Sequence, residues 1–237
     1  MRITKAKYLY QLTFLPRAFP VNCYLVEETD SLTLVDAALP YSWKGILKAA
    51  EQIGKPIKRI VLTHAHGDHL GALDALKSQL PDVSVYISER DARLMRGDKS
   101  LDSTEPQEPI RGDIPNKLKT HANVLLQEGE TVGSLLGIST PGHTPGSMSF
   151  IDQRTHSIIA GDAFQTRGGI AVAGQIRPTF PFPAWGTWNK DLALKSAQKI
   201  ANHKPSLLAV GHGTMLIQPE EAIIHAIRNA EKNLQLK

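Results

Sequence analysis

An α/β fold is predicted for this chain of 237 residues, on three observations. Short β-rich apolar runs alternate with segments of helical period, and polar or Gly/Pro-rich stretches separate them. Five of the strand candidates also lead into a histidine or an aspartate.

In chain order, Tyr8–Phe14, Tyr24–Glu28 and Leu32–Asp36 are strand candidates, built from apolar and β-branched residues. Helical spacing then covers Ser42–Ile53, and Arg59–Thr63 returns to strand character before a second helix at Leu70–Leu80. Val83–Ser88 and Glu89–Arg96 repeat the strand–helix alternation. Residues 98–120 are polar, with prolines at 106, 109 and 115 and no apolar period, and read as a long surface loop or lid. Val124–Leu126, Leu136–Thr140, Met148–Ile151 and Ser157–Ala160 are strands. An irregular stretch at 168–188 interleaves Phe180, Phe182, Trp185 and Trp188 with glycines and prolines. Lys190–Asn202 reads as helix, Leu207–Val210 as strand, and Pro219–Leu234 as a helix whose Ala222, Ile223, Ala226, Ile227 and Ala230 form one apolar stripe. No repeat of fixed period is visible, and a single domain over 1–237 is expected.

Composition narrows the class. With 41% hydrophobic and 21% charged residues, neither disorder nor a membrane protein is expected. The net charge of +4 is mild and spread along the chain, and the loose cluster Arg90, Arg93, Arg96 and Lys99 reads as a solvated helix face. Nucleic acid is therefore not an expected partner. Cys23 is the single cysteine and sits in an apolar run, so it is expected as a buried hydrophobe without a disulfide. No signal peptide pattern opens the chain, and no apolar stretch reaches the roughly 20 residues of a membrane span. A reducing, cytoplasmic setting follows, with a monomer or homodimer equally open.

The chemistry concentrates in Thr63-His64-Ala65-His66-Gly67-Asp68-His69-Leu70-Gly71, which places three imidazoles and a carboxylate between positions 64 and 69. Neutral imidazole is the commonest ligand of zinc and its neighbours, and carboxylates complete or bridge such sites. Elsewhere, Leu32–Val35 ends at Asp36, Leu136–Ser139 leads to His143, Ile158–Ala160 to Asp162, and Leu207–Val210 to His212. Sites in open α/β sheets gather beyond the carboxyl ends of strands, so these side chains are candidates for one metal site. His121, His156, His203 and His225 lack this placement and are given no role.

On these motifs the chain resembles the metallo-β-lactamase superfamily along nearly its whole length: an Asp, then H-x-H-x-D-H, then His, Asp and His in order. The resemblance implies a four-layer αββα sandwich with mixed sheets and the metals at one sheet edge. It implies that His64, His66 and His143 hold one ion, that Asp68, His69 and His212 hold the other, and that Asp162 bridges them. Asp36 would support a ligand from outside. Two divalent ions are expected, zinc first, with Mn2+ or Fe2+ as alternatives. The departures matter too. True β-lactamases of the best-known class carry Cys at the position of Asp162 and lack the second-metal His at His69. Glyoxalase II enzymes add a helical domain for their glutathione thioester, whereas 25 residues follow His212 here. The nuclease branches add RNA-binding arms or domains. Lactonases commonly place a Tyr between the bridging Asp and the last His, and no Tyr follows Tyr86.

The expected activity is hydrolysis of a small ester, lactone or thioester by a hydroxide shared between the two ions, whose binding lowers the pKa of water toward ~7. Asp68 is the candidate catalytic residue, orienting that hydroxide and passing a proton to the leaving group. Phe164, Phe182 and Trp185 are expected to line an apolar pocket for a small-molecule substrate, with at least two of them bordering the cleft. A mononuclear iron oxygenase of the sulfur-dioxygenase kind is one alternative. The other is a phosphodiesterase or nuclease, for which Arg167 and Arg177 are the nearest cations in sequence.

Overall fold

Strands β1 (Arg2–Ala6), β2 (Leu9–Phe14), β3 (Val21–Glu27), β4 (Leu32–Val35), β5 (Ile57–Val61), β6 (Ser84–Ser88) and β7 (Val124–Leu126) lie side by side in chain order as one sheet. The computed structural model describes residues 1–235. The first four strands form an antiparallel meander. From β4 to β7 the pairing is parallel, which demands crossovers; α1 (Trp43–Ile53), α2 (Gly67–Leu70), α3 (Leu73–Gln79) and α4 (Glu89–Met95) lie in them.

A second, six-stranded sheet begins with β8 (Thr131–Val132), β9 (Leu135–Ser139), β10 (Met148–Asp152) and β11 (Ser157–Ile159). A two-stranded ribbon, β12 (Phe164–Gln165) with β13 (Ala171–Val172), follows, then α5 (Phe182–Gly186) and α6 (Lys190–Asn202). β14 (Leu207–Ala209) returns parallel to β11, β15 (Leu216–Ile217) closes that edge, and α7 (Glu220–Gln235) ends the described chain.

Side-chain alternation assembles the layers. In β3, Cys23 and Leu25 point to the helical side of the first sheet with Leu34, Ile46, Ile60 and Leu73. Their neighbours Tyr24 and Val26 point the other way, onto Met148, Phe150, Ile159 and Leu207 of the second sheet. That sheet in turn sends Ile151, Ile158 and Leu208 outward to Ala193, Ala197, Ile223 and Ala226 of α6 and α7. The result is helix, sheet, sheet, helix: the expected sandwich.

Local differences from the sequence reading have physical causes. β1 was not expected, because its Arg2–Thr4 are exposed and carry no apolar alternation; it is an edge strand paired only to β2. The helix expected at Leu70–Leu80 starts later, as α3 at Leu73, with Leu70 ending the separate α2. The His69 carbonyl accepts from the Ala37 amide at 2.7 Å in place of a continuing helix, and the backbone leaves helical geometry at Ala72 (φ −89°, ψ 1°). The stretch 168–188 is not wholly irregular, since it contains β13 and α5.

Candidate metal centre

The five ligand-bearing turns leave β4, β5, β9, β11 and β14 and converge at one edge of the sandwich. Asp36 follows β4, His64 to His69 span the turn after β5 and the first turn of α2, and His143 follows β9. Asp162 sits in a one-turn 3-10 helix, Gly161–Ala163, after β11, and His212 follows β14. His64, His66 and His143 form one group of potential ligands, Asp68, His69 and His212 a second, and His64, His69 and Asp162 a third between them, with ligand atoms in each group within 4.8 Å.

Each histidine has one ring nitrogen tied away from the centre, as outer hydrogen bonds do in metal sites. Nδ1 of His69 donates to Asp36 Oδ2 at 2.8 Å, and Nδ1 of His212 donates to the Pro20 carbonyl at 2.7 Å. The Thr63 hydroxyl gives its proton to Asp36 Oδ2, so Nδ1 of His64 donates to Thr63 Oγ1 at 3.0 Å. Likewise Thr187 Oγ1 gives its proton to the Pro183 carbonyl, leaving Nδ1 of His143 to donate to it at 3.0 Å. His66 is reversed: its Nε2 donates to the Arg111 carbonyl at 3.0 Å and its Nδ1 faces inward. These tautomers are assigned from the hydrogen-bond network.

The inward atoms fit a cation. His66 Nδ1 and His143 Nε2 stand 3.0 Å apart, lone pair toward lone pair, an arrangement that repels unless a positive centre lies between them. His64 Nε2, His69 Nε2 and Asp162 Oδ1 are buried without a hydrogen-bond partner, the last two facing each other as an ion pair at 3.5 Å, and a buried polar atom left so is costly. Imidazole nitrogens and a carboxylate turned inward on one buried space suit divalent ions of the zinc and iron kind.

Electrostatics divides the centre in two. Burial pushes His64 and His66 below the usual histidine range and His143 down to about 3, so these rings are neutral, the form that ligates. Burial opposes protonation of His69 and His212 as well, but Asp162 and the neighbouring carboxylates outweigh it. His69 is raised well above its usual range and His212 to about 10. The Asp68 carboxyl is drawn up by burial yet held well below the carboxylate range by His69 and His212.

A cleft of about 410 Å³ opens onto the centre, bordered by Phe19, Phe182 and Trp185. Phe164 does not border it. Its ring is fully buried in the core beneath α6 and α7, because β12 turns that side chain toward the second sheet's helices. The expected pocket wall therefore loses Phe164 and keeps Phe182 and Trp185. Trp188 also packs away from the cleft, its indole N–H donating to the Glu108 carbonyl at 2.7 Å. That bond, the Asn189 amide on Glu108, and the Arg111 carbonyl on His66 seat part of the 98–120 stretch against the site. Gly112 rests directly on the His66 ring at φ +85°, where a Cβ would overlap the imidazole.

The sequence reading missed Asp91, in the first turn of α4 and fully buried. Its Oδ2 accepts from the Ala65 amide at 2.9 Å and the Thr144 hydroxyl at 2.6 Å, and its Oδ1 accepts from the Gly146 amide at 2.8 Å. One carboxylate thus ties the turn carrying His64 and His66 to the turn carrying His143. His121, His203 and His225 are exposed and lie outside the ligand groups.

A sequence model described as the metallo-beta-lactamase superfamily matches residues 16–212. The chain is 60% identical to YobT of Bacillus subtilis over 98% of its own length and 100% of that protein. It is 30% identical to a second B. subtilis protein, "Probable metallo-hydrolase YflN", over 81% of this chain and 80% of the relative. Among solved structures it is similar to TTHA1623 in a di-iron-bound form, with a TM-score of 0.64, 25% identity, and coverage of 90% of this chain and 96% of the other.

Proposed function

The chain belongs to the metallo-β-lactamase superfamily, and on that premise we propose that it is a dinuclear metal-dependent hydrolase of a small ester, lactone or thioester. The observation that carries the reading is the set of five histidines, each anchored through one nitrogen and presenting the other to a shared space around Asp162. Two divalent ions bound there would polarise the scissile carbonyl and acidify water toward neutral pH. Zinc is the first choice of metal; iron is favoured next, because the TTHA1623 structure is described as di-iron-bound.

His64, His66 and His143 would hold one ion and Asp68, His69 and His212 the other. Asp162 would serve both, a reading supported by its Oδ2 lying 3.3 Å from Nε2 of His143 and 3.2 Å from Nε2 of His212. Asp68 keeps its Oδ2 3.4 Å from Nε2 of His212 while remaining 26% exposed at the cleft. Ionised and facing the substrate space, it would orient the nucleophilic water, accept its proton and pass that proton to the departing oxygen or sulfur. No covalent link to the chain is needed, and the protein's part is positioning and electrostatics.

The test is a panel of lactones, thioesters, aryl esters and bis-aryl phosphodiesters on protein whose metals have been quantified by mass spectrometry. Two ions per chain and turnover of an ester, lactone or thioester are expected. Asp162→Ala should lose one ion and reduce turnover by orders of magnitude. One iron per chain with oxygen uptake, or wild-type turnover in Asp162→Ala, would sink the reading.

A further inference from the structure

The charged side chains around the cleft are the ligands and one further carboxylate, Asp113; the rest of the lining is Phe19, Phe182, Pro183, Trp185 and two glycines. Phe182 is 47% and Trp185 60% exposed, and the rings run edge to face from Phe19 to Phe182 at 4.9 Å and on to Trp185 at 5.7 Å. An exposed aromatic wall of this kind gains by covering apolar chain. Among the described residues, no Lys or Arg lines the cleft. Arg111 directly precedes Gly112 and Asp113, but its side chain is exposed and does not line the cleft; Arg167 donates to the Arg17 carbonyl at 2.8 Å and Arg177 to the Ile170 carbonyl. Asp113 is exposed, follows the glycine that rests on His66, and sets its carboxylate against Gly67 with no cation pairing it among the described residues.

Anionic carriers are recognised by forked or clustered cations, which this cleft lacks. A carboxylate or phosphate on a substrate that fills the cleft would share it with Asp113 and with no lining cation, and like charges so placed act as a specificity filter. We propose that the cleft receives an apolar acyl chain free of negative charge, and that Asp113 is the specificity-determining residue that turns away anionic substrates. The proposal rests on the hydrolytic reading for the identity of the site. It excludes thioesters of glutathione and coenzyme A, as well as phosphodiesters, and it admits chains ending in a methyl or an ammonium group.

Heptanoyl hydroxamates ending in methyl, ammonium or carboxylate test this on the metal-loaded protein, because they share a metal-seeking head and differ only at the far end. Calorimetric titration should show the first two binding about tenfold tighter than the third, as expected for one partly screened like-charge contact. That gap should shrink to about twofold in Asp113→Asn and equally in Asp113→Ser, while Asp30→Asn on the far surface leaves it in place. Equal binding of all three by the wild type, or a gap that persists in both Asp113 variants, overturns the proposal. Matched 4-nitrophenyl esters then separate the two readings. Charge-selective binding without hydrolysis of any ester would leave the filter standing and remove the hydrolase.

Discussion

Asp36 receives the Nδ1 proton of His69 on Oδ2 at 2.8 Å while its Oδ1 accepts the Thr63 amide at 2.8 Å, so one side chain sets both a ligand ring and the turn that opens the ligand motif. Its backbone is left-handed, at φ 63°, a region that Asn also tolerates. Asp36→Asn should therefore keep the local fold while confronting the His69 N–H with an amide N–H. Loss of such an outer partner typically costs about 10–100-fold in metal affinity. The loss should be greater for the ion assigned to His69 than for the His64–His66–His143 ion, which Asp36 reaches only through the Thr63 hydroxyl, as read by competition with a chromophoric chelator. Equal weakening of both ions would count against this assignment.

Asp91 makes the corresponding tie on the other side. Asp91→Ala strands the amides of Ala65 and Gly146 and the hydroxyl of Thr144 in the interior. At roughly 1–3 kcal/mol for each buried donor left unpaired, stability should fall by at least about 2 kcal/mol. Urea unfolding of the metal-free protein measures this directly. The first ion should bind more weakly as well, since its ligands sit on the two turns the carboxylate joins. An unchanged unfolding midpoint would show the tie to be dispensable.

Protonation should follow opposite courses at the two halves of the centre. His143, at about 3 in the folded metal-free protein, lies below its ordinary value of about 6.5, so the unfolded chain binds the extra proton. Its contribution to stability is complete above about pH 6.5 and is lost as pH falls toward 3. His212, raised to about 10, contributes fully below about pH 6.5 and loses that contribution as pH rises through 10. An ion entering beside His212 must also displace its proton, so its affinity should climb with pH up to about 10. Calorimetry in buffers of different ionisation heat should detect proton release on filling this half near neutral pH. Metal uptake that releases no proton would contradict the assignment.

Much of this candidate centre is legible in the chain because each potential ligand sits where a strand runs out, and strand ends are marked by the change from apolar alternation to Gly, His and Asp. Asp91 is not legible in that way. Ser88 and Asp91 form an ordinary-looking helix start, with Ser88 Oγ accepting the Asp91 amide at 3.0 Å, and such spacing normally indicates a capping box. Only the packed structure shows that the carboxylate leaves the helix end for Ala65, Thr144 and Gly146. Phe164 fails for a related reason. Two residues after Asp162 it is close to the centre in sequence, but one step of strand alternation sends its ring into the core instead. Phe182 and Trp185, farther along the chain, reach the cleft because the short α5 presents them together.

The position of Asp162 depends on a residue that carries no side chain. Gly211 packs so closely that a Cβ there would overlap Asp162 Oδ1 and crowd the His69 ring. Its φ is not positive, in contrast to Gly213 at +115°, so alanine at 211 meets no backbone penalty and its effect is confined to the methyl group. Gly211→Ala should therefore fold, displace the Asp162 carboxylate, and lower occupancy of the ion shared with His69 and His212. Turnover should drop by at least about 100-fold, the scale on which small misplacement of reacting groups acts. Metal content per chain and kcat measured on the same sample decide it. A Gly211→Ala protein with full metal and wild-type kcat would show that Asp162 need not stand where this packing holds it.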